Sequence, residues 1–305
     1  MNILIADKLA EQAHRSLENM GFNITVDASL SDERLKQAIK ESKAEILVVR
    51  STKVREQHID ASSSLSLIIR AGAGTNTINV DYASEKGIYV ANCPGKNAIA
   101  VAELTMGHLL NLDRRISDNV VTLREGTWNK KEFSKANGLF GRKIAIIGMG
   151  SCGMEVLLRA KAFGMKISVW SRSFSPQKAE ALGVTYASSP KEAAQDANAL
   201  TVHLALNDST RNIICSEVLN ALCDGAYVVN TSRGGIVDEQ ALLEAIENKG
   251  LRAGFDVFVG EPSSSTAEFS SSITKHPCVY GTHHIGASTQ QASNAVAEEV
   301  ITIIR

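Results

Sequence analysis

Short runs rich in Ile and Val alternate along this chain with longer amphipathic segments, at residues 2–6, 9–20, 22–26, 32–40 and 45–49. The apolar runs suit strands buried on both faces, and the intervening segments repeat their apolar positions at helical spacing. Strands joined through helices run parallel, so the rhythm predicts an α/β chain built on parallel sheets. Residues 67–69 and 87–90 read as further strands, and Pro94-Gly95 punctuates the end of a first unit. From about Asn97, a plausible N-cap, a helical pattern runs through Ile99, Val101, Ala102, Leu104, Met106, Leu109 and Leu110. A second series opens at residues 143–147 and recurs at 166–170, 199–203, 226–230, 252–255 and 278–281, which predicts six strands. The last helical segment, 290–304, follows the final strand and must dock elsewhere, most simply on the first unit. The expected fold is therefore two doubly wound parallel-sheet α/β domains with the first one discontinuous: residues 1–96 with 285–305, and residues 97–284.

A chain of 305 residues with 44 % hydrophobic content can bury two cores. Its 32 Lys and Arg nearly balance 33 Asp and Glu, and the net charge of −1 gives no footprint for nucleic acid or an anionic membrane surface. The expected partner is a small molecule. Cys93, Cys152, Cys215, Cys223 and Cys278 form no C-x-x-C pair and suggest neither a disulfide framework nor a metal site. The first residues read as a strand where a secretory signal would be basic and then apolar, and no apolar run approaches the ~18 residues of a membrane span, so a cytoplasmic location is expected. The Ser-rich stretch 262–272 reads as a surface loop, either a mobile flap or a plain connector.

The strand at 143–147 runs into Gly148-Met149-Gly150-Ser151-Cys152-Gly153 and then a helix, the context that gives G-x-G-x-x-G its meaning as a dinucleotide fingerprint. The first glycine makes the tight turn, the second lets backbone approach a pyrophosphate, and the third lets helix pack on strand. An anion would sit on the free N–H groups at the helix N-terminus. About 20 residues on, an acid usually binds the adenosine ribose of NAD. Here the strand end reads Ser171-Arg172-Ser173. Without that carboxylate NADP is not excluded: Arg172 could pair with a 2′-phosphate, or could be a solvated charge.

Three more segments follow strands of the second series: Asn230-Thr231-Ser232-Arg233-Gly234-Gly235, Gly254-Phe255-Asp256-Val257-Phe258-Val259-Gly260-Glu261-Pro262, and His283-His284-Ile285-Gly286-Ala287-Ser288-Thr289. Ligands in open α/β sheets bind beyond the carboxyl ends of strands, so these segments converge on the same crevice as the fingerprint. Together they resemble the D-isomer-specific 2-hydroxyacid dehydrogenase family over essentially the whole chain. Ile5-Ala6-Asp7-Lys8-Leu9, Arg70-Ala71-Gly72-Ala73-Gly74-Thr75-Asn76, Asn92-Cys93-Pro94-Gly95-Lys96-Asn97 through Val101-Ala102-Glu103-Leu104, and Trp128-Asn129-Lys130 are similar to the branch that oxidises 3-phosphoglycerate. Some members of that branch carry a C-terminal regulatory domain that senses serine; with the chain ending at Arg305, such feedback is not expected.

The resemblance implies an oxidoreductase using NAD, with no metal, that converts a D-2-hydroxy acid to its 2-oxo acid, most simply 3-phosphoglycerate to 3-phosphohydroxypyruvate in serine biosynthesis. It implies Arg233 on the substrate carboxylate and carbonyl oxygen, His284 as acid/base, and Glu261 as the carboxylate that pairs with it. Asp256 would hold the nicotinamide carboxamide, while Asp238 caps the helix that follows it. His283 stands where the family commonly has proline and is expected to face solvent. The first domain would contact substrate through Arg50, Ser51, Ala73, Gly74 and Asn97, with the backbone amides of Gly72 to Gly74 open to a carboxylate. Lys130 would reach a substrate phosphate, with Lys53 and Lys96 as further basic candidates. Gly234 and Gly235 would let substrate come close to Arg233. The family also implies a homodimer or larger homo-oligomer through the stretch from Asn97 to Arg124 and Trp128, although Trp128 in polar surroundings could equally be an intramolecular contact. Two alternatives share the fold: a glyoxylate or hydroxypyruvate reductase using NADPH, and a nucleotide-sensing corepressor that binds peptides.

Overall fold

The structure is a computed structural model and describes residues 1–262 and 266–305. Residues 263–265 of the expected Ser-rich flap lie outside the described residues. The chain forms two compact units, Met1–Asn97 with Ala287–Arg305, and Ala98–Gly286.

The first unit runs β1 (Asn2–Ile5), α1 (Glu11–Asn19), β2 (Asn23–Val26), α2 (Asp32–Ser42), β3 (Ile46–Val49), α3 (Glu56–Ile59), β4 (Leu67–Arg70), α4 (Val80–Glu85) and β5 (Tyr89–Asn92). Its strands form one parallel sheet in the order β2-β1-β3-β4-β5. Because side chains alternate across a strand, Leu4, Leu47 and Ile68 enter the core on one face, and Ile3, Ile5, Ile46, Val48 and Ile69 enter the core on the other. The C-terminal helix Gln290–Ile304 covers this second face with Val300, which is fully buried. Burying one such side chain stabilises by roughly 1.5–3 kcal/mol, which is why the last segment returns to the first unit.

The second unit continues with α5 (Ala98–Arg114), α6 (Ile116–Arg124), α7 (Lys130–Phe133), β6 (Lys143–Ile147), α8 (Ser151–Ala162), β7 (Lys166–Trp170), α9 (Pro176–Ala181), β8 (Thr185–Tyr186), α10 (Pro190–Ala194), β9 (Ala199–Val202), α11 (Ser216–Ala221), β10 (Tyr227–Asn230), α12 (Glu239–Lys249), β11 (Arg252–Phe255) and β12 (Val279–Gly281). All seven strands are parallel, in the order β12-β11-β10-β9-β6-β7-β8. The strand missing from the sequence reading is β8, whose two residues are too few to show a periodicity and form an edge against β7. The order reverses between β6 and β9, which makes that gap the topological switch point.

The helical stretch after Asn97 is broken at Arg115, a left-handed residue with φ of 50°. The turn is held by the Arg115 guanidinium, which donates to Asp118 at 2.9 Å and Glu132 at 2.6 Å. The following helix, α6, buries none of its residues. No helix among the described residues is long and apolar enough to cross a membrane.

Candidate active site

The fingerprint sits at the switch point, between β6 and α8, and its three glycines differ in what they are for. A Cβ on Gly148, where φ is +103°, would lie 2.4 Å from the His203 carbonyl oxygen after β9, and one on Gly153 would lie 2.0 Å from the carbonyl oxygen of Gly148. Both glycines are therefore demanded by the protein's own backbone packing. A Cβ on Gly150 would meet nothing within 4 Å. Gly150 is also the N-cap of α8 and offers no side-chain cap, so the first-turn donors of Ser151, Cys152 and Gly153 have no capping oxygen. An uncapped helix N-terminus beside a position kept open is what a pyrophosphate fits.

Beside it stands His203, whose two ring nitrogens are shielded from solvent without a partner among the described residues, although the residue as a whole is only half-buried. Burial lowers its pKa to about 4, so this imidazole is neutral near pH 7. The sequence reading passed over it, since a histidine ending an apolar strand carries no signal of its own. At the end of β7, Ser171 is half-buried. Arg172 is exposed and makes no ion pair or hydrogen bond among the described residues.

After β10, Asn230 shapes the Arg233 loop. Buried at 1 % exposure, it accepts hydrogen bonds from the Ser232 N–H at 3.1 Å and hydroxyl at 2.8 Å, and donates to the Arg233 carbonyl at 2.9 Å. The Arg233 guanidinium donates to the Ser232 carbonyl at 2.6 Å and makes no ion pair among the described residues. Its charge still acts on Glu261 and on the half-buried Cys152 thiol, so the three lie in one electrostatic neighbourhood. Gly234 corrects the expectation attached to it: a Cβ there would lie 2.1 Å from the Phe258 carbonyl oxygen, so this glycine serves the packing of two loops rather than access for a ligand.

His284 and Glu261 meet, with Nδ1 2.6 Å from Oε1. A carboxylate can only accept, so Nδ1 carries the hydrogen and Nε2 is left as the basic nitrogen. Burial pushes the Glu261 carboxyl up, but the hydrogen bond and charge of His284, the Phe258 N–H and Arg233 together bring it below the ordinary carboxylate value. His284 has φ of 51°, a costly conformation for any residue with a Cβ. Asp256 fixes it. Its backbone carbonyl accepts the His284 N–H at 2.8 Å, and its carboxylate accepts the N–H groups of Ile285 at 2.8 Å and Gly286 at 2.7 Å and the Thr282 hydroxyl at 2.6 Å. Three of the roughly four acceptor positions of this carboxylate, which is 1 % exposed, are thus engaged by the His284 loop. His283 is exposed. Asp238 caps α12, accepting from Gln240 and Ala241, each at 3.1 Å.

In the first unit the candidate substrate residues gather beyond the ends of β1, β3 and β4. Asp7, following β1, accepts the N–H groups of Arg50, Ser51 and Thr52 at 2.7, 3.0 and 3.0 Å and so shapes the loop after β3. The Gly72 amide is already engaged by the Arg70 carbonyl at 2.7 Å, whereas those of Ala73 and Gly74 meet no acceptor among the described residues. Of the three amides expected to be open, two are. Asn92 anchors this loop through the Ala73 carbonyl at 2.6 Å. Asn97 is half-buried just before α5. Lys96 is tied to Glu299 at 2.9 Å, which removes it as a free basic candidate. Lys53 and, in the second unit, Lys130 are exposed.

Residues 106–286 match the family described as "D-isomer specific 2-hydroxyacid dehydrogenase, NAD binding domain". The chain belongs to the D-isomer specific 2-hydroxyacid dehydrogenases. Its similarity to D-3-phosphoglycerate dehydrogenase of Methanocaldococcus jannaschii is 39 % identity, over 100 % of this chain and 58 % of that protein. Its similarity to hydroxypyruvate reductase of Thermotoga maritima is also 39 % identity, over 97 % of this chain and 95 % of that protein. The chain thus spans little more than half of the first relative and nearly all of the second. Among solved structures it superposes on NAD+-bound 3-phosphoglycerate dehydrogenase of Entamoeba histolytica with a TM-score of 0.80 and 25 % identity, covering 100 % of this chain and 94 % of that one.

The supports of this site were less visible in sequence than the residues they support. Thr282 and His108 lie outside every quoted motif, and Asp7 enters only within the stretch Ile5 to Leu9 with no role attached to it, because each acts through a partner that folding supplies. A buried helical face containing His108 reads as core, and only the ring's position over Gly254 reveals a directed contact.

Proposed function

We propose that this chain transfers a hydride between C2 of a D-2-hydroxy acid and NAD, with His284 as acid/base. The observation that carries the reading is the His284 to Glu261 pair at 2.6 Å on a loop clamped in an unfavourable conformation by Asp256. Strain retained this way belongs to sites where geometry matters more than stability. In the oxidative direction Nε2 of His284 takes the hydroxyl proton, and the Glu261 carboxylate favours the imidazolium that results. Arg233 offers a guanidinium not neutralised by any ion pair among the described residues, suited to a carboxylate and to oxygen charge. NAD, when bound, accepts the hydride; the amides at the start of α8 and the space over Gly150 would hold its pyrophosphate. Asp256 keeps one acceptor position for the carboxamide. Arg50, Ser51, Ala73, Gly74 and Asn97 would supply substrate contacts from the first unit.

The acid we propose is 3-phosphoglycerate, with Lys130 toward its phosphate and a place in serine biosynthesis in the cytoplasm. The similarity to phosphoglycerate dehydrogenases and the five free thiols of a reducing compartment support this. A hydroxypyruvate reductase is the second reading, favoured by the Thermotoga relative and by Arg172, whose surroundings lack the ribose-binding acid and would admit NADPH. The assembly we propose is a homodimer through α6 and Trp128: Ile116, Val121 and Leu123 are about half exposed, Trp128 is 79 % exposed, and Trp128 borders a groove of about 500 Å3. The deciding experiment compares kcat/KM for 3-phosphohydroxypyruvate, hydroxypyruvate and glyoxylate with NADH and NADPH. The phosphorylated acid with NADH should lead; preference for hydroxypyruvate with NADPH selects the second reading. No turnover of any of the three, together with capture of a peptide, would mean the fold is used for sensing.

A further inference from the structure

His108 lies in α5, on a helix face that otherwise packs as core, and is 4 % exposed. Its side chain covers β11 so closely that a Cβ on Gly254 would lie 2.8 Å from Nδ1 and 2.9 Å from Cβ and Cγ of His108. Nε2 stands 3.2 Å from Oγ1 of Thr282, and the Thr282 hydroxyl stands 2.6 Å from Oδ1 of Asp256. The direction of both bonds follows from proton counting. The Asp256 carboxylate can only accept, so the one hydroxyl hydrogen of Thr282 goes to it, and the Thr282 oxygen must accept from Nε2–H of His108. Burial disfavours the charged imidazole and pushes its pKa down, more than offsetting the pull of Asp256, so a neutral ring carrying its hydrogen on Nε2 is consistent with the bond.

The contact ends on the carboxylate that sets the His284 loop. Asp256 collects, through carbonyl and carboxylate, the amides of His284, Ile285 and Gly286, and Thr282 is its fourth donor. Thr282 precedes the loop by two residues, so its rotamer and the carboxylate plane are fixed together. We propose that His108 is a positioning residue for the hydride-transfer reaction, acting through Thr282 and Asp256 to hold His284 in register with Glu261. An apolar side chain would fill the same volume; what it could not supply is the donor that locks Thr282. This inference rests on the role proposed for His284.

The test uses the full chain and the reduction of 3-phosphohydroxypyruvate by NADH, or of hydroxypyruvate if that acid proves the better substrate. His284→Ala is measured first: retained turnover removes the acid/base reading and this inference with it. With that reading intact, His108→Leu and Thr282→Val should each lower kcat about tenfold, within the cost of small misplacements at a reacting centre, while KM and the NADH dissociation constant stay within about twofold. Because the two residues act in series, the double variant should be no slower than Thr282→Val alone. His108→Gln, whose amide can donate to Thr282, should recover most of the rate. Unchanged kcat in His108→Leu, multiplicative losses in the double variant, or a Gln variant no better than the Leu variant each overturns the inference while leaving His284 in place. Should His108→Leu not accumulate as folded protein, His108→Met is judged by the same criteria.

Discussion

Replacing the fingerprint glycines one at a time should separate what the protein needs from what its cofactor needs. An alanine Cβ at position 153 would sit 2.0 Å from a backbone carbonyl oxygen, and at position 148 it would sit 2.4 Å from another. Both are more than an ångström inside the ~3.5 Å of a comfortable contact. Overpacking of this kind typically costs about 1–3 kcal/mol. Position 148 adds the strain of a Cβ at φ of +103°, about 1–3 kcal/mol more. Position 150 has φ of −77° and nothing within 4 Å of the added carbon, so only its N-cap role is touched, at up to about 1 kcal/mol. The new methyl would instead stand where the pyrophosphate approaches the α8 amides. Losing one or two charge-assisted hydrogen bonds at about 1.5–3 kcal/mol each would weaken NADH binding by at least about tenfold. Urea unfolding without cofactor and fluorescence titration with NADH measure the two quantities. Gly150→Ala should unfold close to the wild type and bind NADH poorly, while Gly148→Ala and Gly153→Ala should be destabilised before any ligand is added. Normal NADH affinity in Gly150→Ala, or destabilisation matching that of the other two, would refute the assignment.

Glu261 is held below the ordinary carboxylate value, so the stability its ionised form contributes is present above the unfolded value of about 4.3 and is lost as pH falls through the lower folded one. The gap in unfolding free energy between wild type and Glu261→Gln should therefore be open at pH 7 and narrow below about pH 4.3; a gap independent of pH in urea titrations contradicts the pairing. Ser171→Asp should shift the ratio of kcat/KM values toward NAD by repelling a 2′-phosphate, and an unmoved ratio means this side chain does not face the ribose. Trp128→Ala should weaken a dimer detected by analytical ultracentrifugation, and a wild type that sediments as a monomer at assay concentration rejects the dimer outright.

The inner strands β1, β3, β4, β6 and β10 were legible because burial writes them as runs of Ile, Leu and Val, whereas the edge strands β2 and β5, neither of which has a buried residue, were legible from the alternation with helices. The cap of α12 was legible for a similar reason, since Asp238 and the amides it receives lie within three residues. The break at Arg115 was not: besides Asp118 nearby it engages Glu132, 17 residues away, and the apolar pattern continues across it. Gly72 and Gly234 show the same boundary. The first is expected to offer an open amide and the second to leave room for substrate, yet the Gly72 amide is engaged by Arg70 and Gly234 makes room for the Phe258 carbonyl.

By itself, then, the sequence determined the parallel α/β architecture and the fingerprint turn, and through its resemblance to the family it singled out Arg233, Glu261 and His284, the residues proposed to carry chemistry, because each is marked by neighbours a few positions away. Tertiary structure alone decided what supports them. Asp256 reaches across 30 positions to clamp Gly286, and His108 across 174 to Thr282. Such bonds exist only when packing removes water from both partners, and which buried donor then faces which acceptor is set by how helices lie on the sheet, a relation that no local spacing of residues encodes.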